Sequence, residues 1–523
     1  MINNVISSAG RFLLILFVFS LASCAVNPVT GERELMLVSE SQELRIGREA
    51  APSLKWEFGG PYHDPALESY LEKIVKRLWE NSERPYLPMK FYIQNTSVPN
   101  AFALPGYVAI TRGLLSAMEN EAQFAAVMGH EIGHVMARHT AQRISRMTLQ
   151  QLGLAVGAAV LEGRSERDTL LTLGAIGSSL FLLKYDRAQE IQADRLGVRY
   201  MAMLGYDPYE AISAHKILQK TVNDYLKRLG RKPAGGDSLI AELFSTHPRE
   251  EVRISEIRAM IDNLPPYTIK GDGRFGRVFR NATAGIRKVN RIYFRYDRAL
   301  KYYREKKFAK AEKTVREAIR LNSSQAPFYN LLGLIRLRQA NYCRVKPEFS
   351  LRPEGGIQDF SIVYSFRMKH GKVRCDGIRL TQHYKEAEEF FRKSLSIDPG
   401  YQPSVYGMGL VRYFEEDYGQ AIHEFKKSLK LYPQHAQSHF GLGKSYFQLR
   451  QYSRAVPYLR NFARAAPEHP EVHGLLGISY DRTHQLKPAI AEYRRQLRVA
   501  PDTALGRYAK RRLAVLERLL EKR

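Results

Sequence analysis

One short stretch in the first half of the chain holds residues that can do chemistry together: His130-Glu131-Ile132-Gly133-His134. Residues four apart on an α-helix differ by about 40° and one turn of rise, so both imidazoles face the same way and can grip one ion. Zinc favours such nitrogen ligands, and a hydrolytic zinc site leaves one coordination position open for water. Glu131, between the two histidines, can reach a water at that position. Phe124, Val127, Ile132 and Val135 make the surroundings helical and apolar, as a buried ligand helix requires.

A third ligand is needed. The metzincin pattern would place Gly at 137 and His at 140, but the chain has Ala137 and Thr140, which excludes that class. His139 is nine residues from His130, about 180° round a continuous helix, and is expected to face away. Glu190 is the expected ligand. It opens Glu190-Ile191-Gln192-Ala193-Asp194, in a helical stretch that continues through Leu196 and Tyr200. Asp194, one turn later, can accept a hydrogen bond from a ligand imidazole and fix its tautomer. Without the histidine pair, the same carboxylates beside Arg187 and Arg195 would read as a solvated acidic face.

The elements that position these residues belong to a chain of 523 residues, enough for two to four domains at roughly 150 residues each. With 44% hydrophobic and 25% charged residues, the composition is that of a folded protein and excludes a disordered one. Three cysteines exclude a disulfide scaffold and a Cys-only zinc module. Arg11, the apolar run Phe12 to Phe19 and then Leu21-Ala22-Ser23-Cys24 form a secretory signal too short to span a membrane. The Leu-Ala-Ser-Cys ending resembles a bacterial lipobox, which implies cleavage before Cys24 and a lipid on its sulfur; the alternative is a plain signal that happens to hold a Cys. Ala25 rather than Asp after that Cys implies outer-membrane sorting if the host is an enteric bacterium. Only Cys343 and Cys375 would then remain, and in an oxidising compartment they are a candidate disulfide. The formal charge is +27, which could serve nucleic acid, anionic lipid or another polyanion. Export argues against nucleic acid, and none is expected as a partner.

Asn27-Pro28-Val29-Thr30-Gly31 reads as a turn-rich tether over 24–38. Helix is expected from about Ser39, strands at Met89 to Ile93 and Tyr107 to Ile110, and a helix from Asn120 with Gln123 completing a capping box. The apolar segments Leu152–Leu161 and Leu170–Leu183 read as buried helices or as membrane-surface insertions. Pro265-Pro266 marks a boundary at about 262, followed by a basic linker, 263–291. Residues 270–310 hold fourteen Lys/Arg against three Asp/Glu. They are either a solvated linker and first helix or a contact with lipid phosphates or another polyanion. Gly271-Asp272-Gly273-Arg274-Phe275-Gly276 fits a nucleotide-loop pattern but follows no buried strand, so no nucleotide site is expected.

The C-terminal half repeats every 34 residues. Pro399, Pro433, Pro467 and Pro501 share that period, as do Ala387, Ala421, Ala455 and Ala489, and Gly409, Gly443 and Gly477. Small residues where two helices meet and Pro at a helix end describe stacked helical hairpins, and these spacings resemble tetratricopeptide repeats. Repeats are expected over 292–501, with a 42-residue insertion at about 341–382 that contains a β-hairpin at Ile362–Leu380, and a capping helix at 502–523.

Over residues 27–262 the chain resembles the M48 family of zinc metallopeptidases. The resemblance rests on Asn27 to Gly31, Pro99-Asn100-Ala101-Phe102-Ala103-Leu104-Pro105-Gly106, His130 to His134, Glu190 to Asp194, and Thr246-His247-Pro248 with Arg253. With the signal and the repeats, it resembles the periplasmic β-barrel assembly-enhancing subgroup. Tyr107 departs from the usual second Gly and puts in doubt how closely substrate approaches that strand. The resemblance implies a mainly α protein: an α+β zincin-like domain with a small sheet and a substrate-binding strand at Ala103–Ile110, then an α-solenoid. It implies one Zn2+ held by His130, His134 and Glu190, with Glu131 as general base. It makes Asn100, His247 and Arg253 candidates for holding substrate or the oxyanion, and His247 also a reversible extra zinc ligand. The implied clients are misfolded or stalled envelope proteins, with assembly machinery at the repeats and the membrane reached through the lipid anchor and segment 270–310. A competing reading is a tetratricopeptide adaptor or chaperone with a dispensable protease site.

Overall fold

The computed structural model describes residues 24–162, 185–230, 251–344 and 377–521, without side chains at 24, 151–162, 251–252, 341–344, 377–379 and 520–521. The chain divides into two compact units, with the boundary between Asn290 and Arg291.

The first unit is helical around a small sheet. The 24–38 stretch, expected as a turn-rich tether, carries a pair of short strands. β1 (Cys24–Val26) pairs antiparallel with β2 (Arg33–Leu35), with Cys24 opposite Leu35. Asn27 is buried and its amide donates to Glu34 Oε1 at 2.8 Å. The first helix, Glu40–Glu57, starts at Ser39 in a full capping box with Gln42.

Three further strands, β3 (Phe91–Gln94), β4 (Ala101–Leu104) and β5 (Tyr107–Thr111), form a sheet in the order β3-β5-β4. β3 runs parallel to β5 and β4 antiparallel to it. The stretch Ala103–Ile110 is therefore not one strand. It turns at Pro105-Gly106, where Gly106 takes φ +88, a value that costs a residue with a Cβ. β5 is flanked on both sides, so the sheet edge beside the candidate site belongs to β4. Tyr107 is buried, stacked on Tyr92 with ring centroids 4.5 Å apart, and so is a core residue of the central strand.

The helix Glu121–Met136 is the spine of this unit. Asn120 Oδ1 caps Gln123 N at 2.9 Å, but the Gln123 side chain accepts from Glu119 N rather than closing the expected box. Arg274 O accepts from Glu121 N at 3.0 Å, so the glycine-rich loop at 271–276 finishes this helix end. The second half of the expected linker is helical, with Gly276–Ala282 and the start of Ala284–Arg304, and its Phe279 and Ile286 lie in the same core as Phe124 and Ile132.

In the second unit, paired helices repeat from Phe308–Leu321 to Leu486–Val499, followed by Ala504–Glu521. A Cβ on Gly333, Gly409, Gly443 or Gly477 would come within 2.5–2.8 Å of Phe391, Phe425, Leu459 or Tyr493, respectively. The small residues thus seat one large side chain per hairpin. The helices Ala326–Arg344 and Gly377–Ile397 run into the expected 341–382 insertion from both sides, so the second arm of the expected β-hairpin is helical from Gly377. The rest of that hairpin and the Cys343–Cys375 pair lie outside the described side chains, as does His247. No helix among the described residues is long and apolar enough to cross a membrane.

Candidate metal centre

His130 and His134 come from the Glu121–Met136 helix, and Glu190 from the first turn of helix Arg187–Leu204. The two helices pack closely because both carry glycines at the contact. A Cβ on Gly133 would lie 3.1 Å from Ala193 O, and one on Gly197 would lie 2.9 Å from His130 N. Asp186 starts the second helix with a capping box to Gln189, which fixes where Glu190 falls in the first turn.

The two Nε2 atoms lie 3.1 Å apart. Glu190 offers Oε2 at 3.7 Å from His130 Nε2 and Oε1 at 3.5 Å from His134 Nε2. Zn–N bonds of about 2.0–2.1 Å in a tetrahedron put two nitrogens about 3.3 Å apart, so the donor set fits zinc in atom type and spacing. The Glu190 and His134 side chains are only 1% exposed, and His130 is 13% exposed on the cavity side.

Both imidazoles are oriented from behind. His130 Nδ1 donates to Asp194 Oδ1 at 2.8 Å, which leaves its Nε2 lone pair for the ion. Burial works to raise the Asp194 carboxyl, but His130 and Arg253 outweigh it and hold the group well below the usual carboxylate range. His134 Nδ1 meets His139 Nδ1 at 2.7 Å, and His139 Nε2 meets Gln192 Oε1 at 2.9 Å. Gln192 Oε1 can only accept, so His139 carries its proton on Nε2 and accepts from His134 at Nδ1, which again frees the ligand nitrogen. Burial pushes His139 down to about 4, consistent with that neutral, accepting role. Tyr185 stacks on the His134 ring with centroids 3.9 Å apart.

His139 thus faces the site, contrary to expectation. The ligand helix ends at Met136, Arg138 turns the chain with φ +58, and His139 opens a new helix. A left-handed arginine is costly. It is held by Glu43 Oε2, which accepts from Arg138 Nε at 2.9 Å and from Arg84 Nη2 at 3.1 Å, and by Val38 O.

Arg253, a candidate for holding substrate or the oxyanion, spans two carboxylates. It donates to Asp194 through Nε at 2.9 Å and Nη2 at 2.7 Å, and pairs with Glu190 Oε2 through Nη1 at 2.7 Å. Burial opposes its charge, but the carboxylates prevail and its pKa is raised. Asn100 leads into β4 and lines the cavity in front of His130, together with Glu131, which is buried. His215, from helix Glu210–Arg228, lines the same cavity with Nε2 3.8 Å from Asp194 Oδ1. Sequence reasoning did not find it, because a lone histidine with no partner at helical spacing carries no signal.

Two imidazoles from one helix, a carboxylate from a second and a buried glutamate beside them make a metallopeptidase-type centre. The pattern that defines Peptidase family M48 matches residues 65–261, and tetratricopeptide-repeat patterns match 379–401, 406–470 and 442–504. The chain carries an M48 peptidase domain with tetratricopeptide repeats behind it. It is 29% identical over 245 residues to Mitochondrial metalloendopeptidase OMA1 of Arabidopsis thaliana, covering 46% of each chain. It is 28% identical over 214 residues to Beta-barrel assembly-enhancing protease of Yersinia pestis, covering 39% of this chain and 41% of the relative. The protein of that name from Escherichia coli (strain K12) is 28% identical over 220 residues, covering 41% and 42%. The match thus spans less than half the length of these relatives. The solved structure of Pseudomonas aeruginosa pilF covers 43% of this chain at 16% identity, with a TM-score of 0.33.

Proposed function

We propose that the chain is a zinc-dependent endopeptidase of the bacterial cell envelope. In this reading it hydrolyses peptide bonds in misfolded or stalled outer-membrane proteins and uses its repeats to hold clients or assembly machinery. A lipid on Cys24 would anchor it, in the outer membrane by the Ala25 criterion. The observation that carries the catalytic part is the convergence of His130, His134 and Glu190 on one point beside buried Glu131. The relatives' names support the envelope and client parts.

Bound there, zinc would polarise the scissile carbonyl and make water nucleophilic near neutral pH. Glu131 takes the proton of the attacking water and returns it to the leaving amine nitrogen. Asp194 and His139 keep both imidazoles in the tautomer that presents Nε2. Arg253 offsets the charge of the two buried carboxylates, which would otherwise repel each other. The edge of β4, reached through Asn100, is available to pair with extended backbone, a mode that reads main chain and suits unfolded clients.

The test is metal analysis with casein cleavage by wild type and Glu131→Gln. About one zinc per chain is expected in both, with cleavage lowered about 10²–10⁴-fold in the variant. Cleavage by Glu131→Gln at the wild-type rate would remove Glu131 from the mechanism. Full complementation of a deletion by that variant would favour the adaptor reading.

A further inference from the structure

The cavity in front of His130 has a second part that peptide hydrolysis alone does not require. Beyond the polar groups His130, Glu131, Asn100, Asp194, His215 and Arg253, its wall is apolar, with Leu114, Val127, Ala211, Ala214, Leu218 and Ile257. These come from separate elements, with Val127 one turn before Glu131 on the ligand helix, and Ala211, Ala214 and Leu218 along one face of helix Glu210–Arg228. Ala214 and Ile257 are almost fully buried, whereas Val127 and Leu218 are half-buried at the mouth. On this wall Asp194 and Arg253 are bound to each other, and His215 Nε2 lies 3.8 Å from Asp194 Oδ1.

We propose that this recess is the specificity pocket of the peptidase site and takes an uncharged aliphatic or aromatic side chain of the residue flanking the scissile bond. This rests on the peptidase reading and deepens it. The occupant follows from continuity. A chain paired along β4 passes Asn100 and reaches Glu131, and the side chain next to the cleaved bond then meets this recess. A cationic or anionic side chain would lose its water against these apolar walls, which costs far more than a mismatched methylene. The class of client this selects is protein whose core residues are exposed. Folded proteins bury such side chains, and unfolded or unassembled ones present them.

Ala214 sets the depth of the pocket and Leu218 its width. The experiment digests a denatured-protein mixture with the full chain and reads the new termini by mass spectrometry, then measures kcat/KM on matched peptides with Leu, Phe, Ala or Lys beside the cleaved bond. Leu or Phe should be preferred over Ala by about 10–200-fold, with Lys poorer still. Ala214→Leu should abolish the advantage of Phe, and Leu218→Ala should raise Phe relative to Leu, with zinc content unchanged in both. If Ala214→Leu proves too crowded to fold, Leu218→Ala alone decides. Cleavage with no apolar preference, or the same preference in wild type and Leu218→Ala, overturns the pocket and leaves the peptidase reading standing. No cleavage by zinc-loaded wild type overturns both.

Discussion

At the scale of single residues, the ligands themselves need less explanation than the groups behind them. His130 is steadied by a carboxylate, whereas His134 is steadied by another imidazole, His139, itself fixed by Gln192. The motif Glu190 to Asp194 therefore supplies a ligand at its first position and supports for the two histidines at its third and fifth. Replacing His139 by Phe keeps the bulk and removes the acceptor, so zinc affinity should fall about 10–100-fold by competition with a chelating dye. His139→Asn, which keeps an acceptor, should recover part of it. Equal affinity in wild type and His139→Phe would reduce His139 to packing. The histidine pair was legible in the sequence because four-residue spacing alone puts two rings on one face. His139 was not, because its position depends on a chain reversal at an arginine with no Gly or Pro to announce it.

At the scale of elements, the contact between the two ligand helices sets how near Glu190 comes to the rings. Gly197 has no room for a Cβ against His130 N, so Gly197→Ala should push the helices apart, weaken zinc binding and cost about 1–3 kcal/mol in denaturant unfolding. Gly285→Ala is the matched control. There the nearest atom is Asp64 Oδ2 at 4.0 Å, and stability should hold or rise slightly. Indistinguishable zinc binding in Gly197→Ala would mean the helices have slack. The repeats show the same principle in a form that periodicity reveals, since glycine and the large side chain it seats both recur every 34 residues. The turns between their helices were less visible, because Glu416, Arg450 and His484 hold positive φ without being glycine. The sheet was legible as strands but not as a topology. The Pro105-Gly106 turn makes the β4–β5 hairpin, but which of its strands is central depends on β3 pairing with β5, a contact that neighbouring residues do not encode.

At the scale of the whole molecule, stability should depend on pH through histidines buried in the repeats. Gln402 Nε2 donates to Ser428 Oγ at 2.7 Å, Ser428 and Ser438 hydroxyls meet at 2.7 Å, and His435 Nδ1 meets Ser438 Oγ at 2.7 Å. The chain of donors runs one way and ends on a neutral ring. Burial pushes His435 down to about 3, against about 6.5 when unfolded. The unfolded chain therefore takes up a proton that the folded chain refuses. The contribution is complete above pH 6.5 and drains away as pH falls from there toward 3. His435→Asn should flatten the fall in unfolding midpoint between pH 7 and pH 4.5, and a fall as steep as wild type would exonerate this ring. A different consequence follows from β1. The strand begins at Cys24 and pairs with β2, and just past the end of β2 Leu37 N donates to Ser145 Oγ at 2.8 Å. Should that sulfur carry acyl chains, no slack leash would separate bilayer from catalyst. The cleft would ride at a set height above the lipid, and its reach would be limited to chains emerging within that shallow layer.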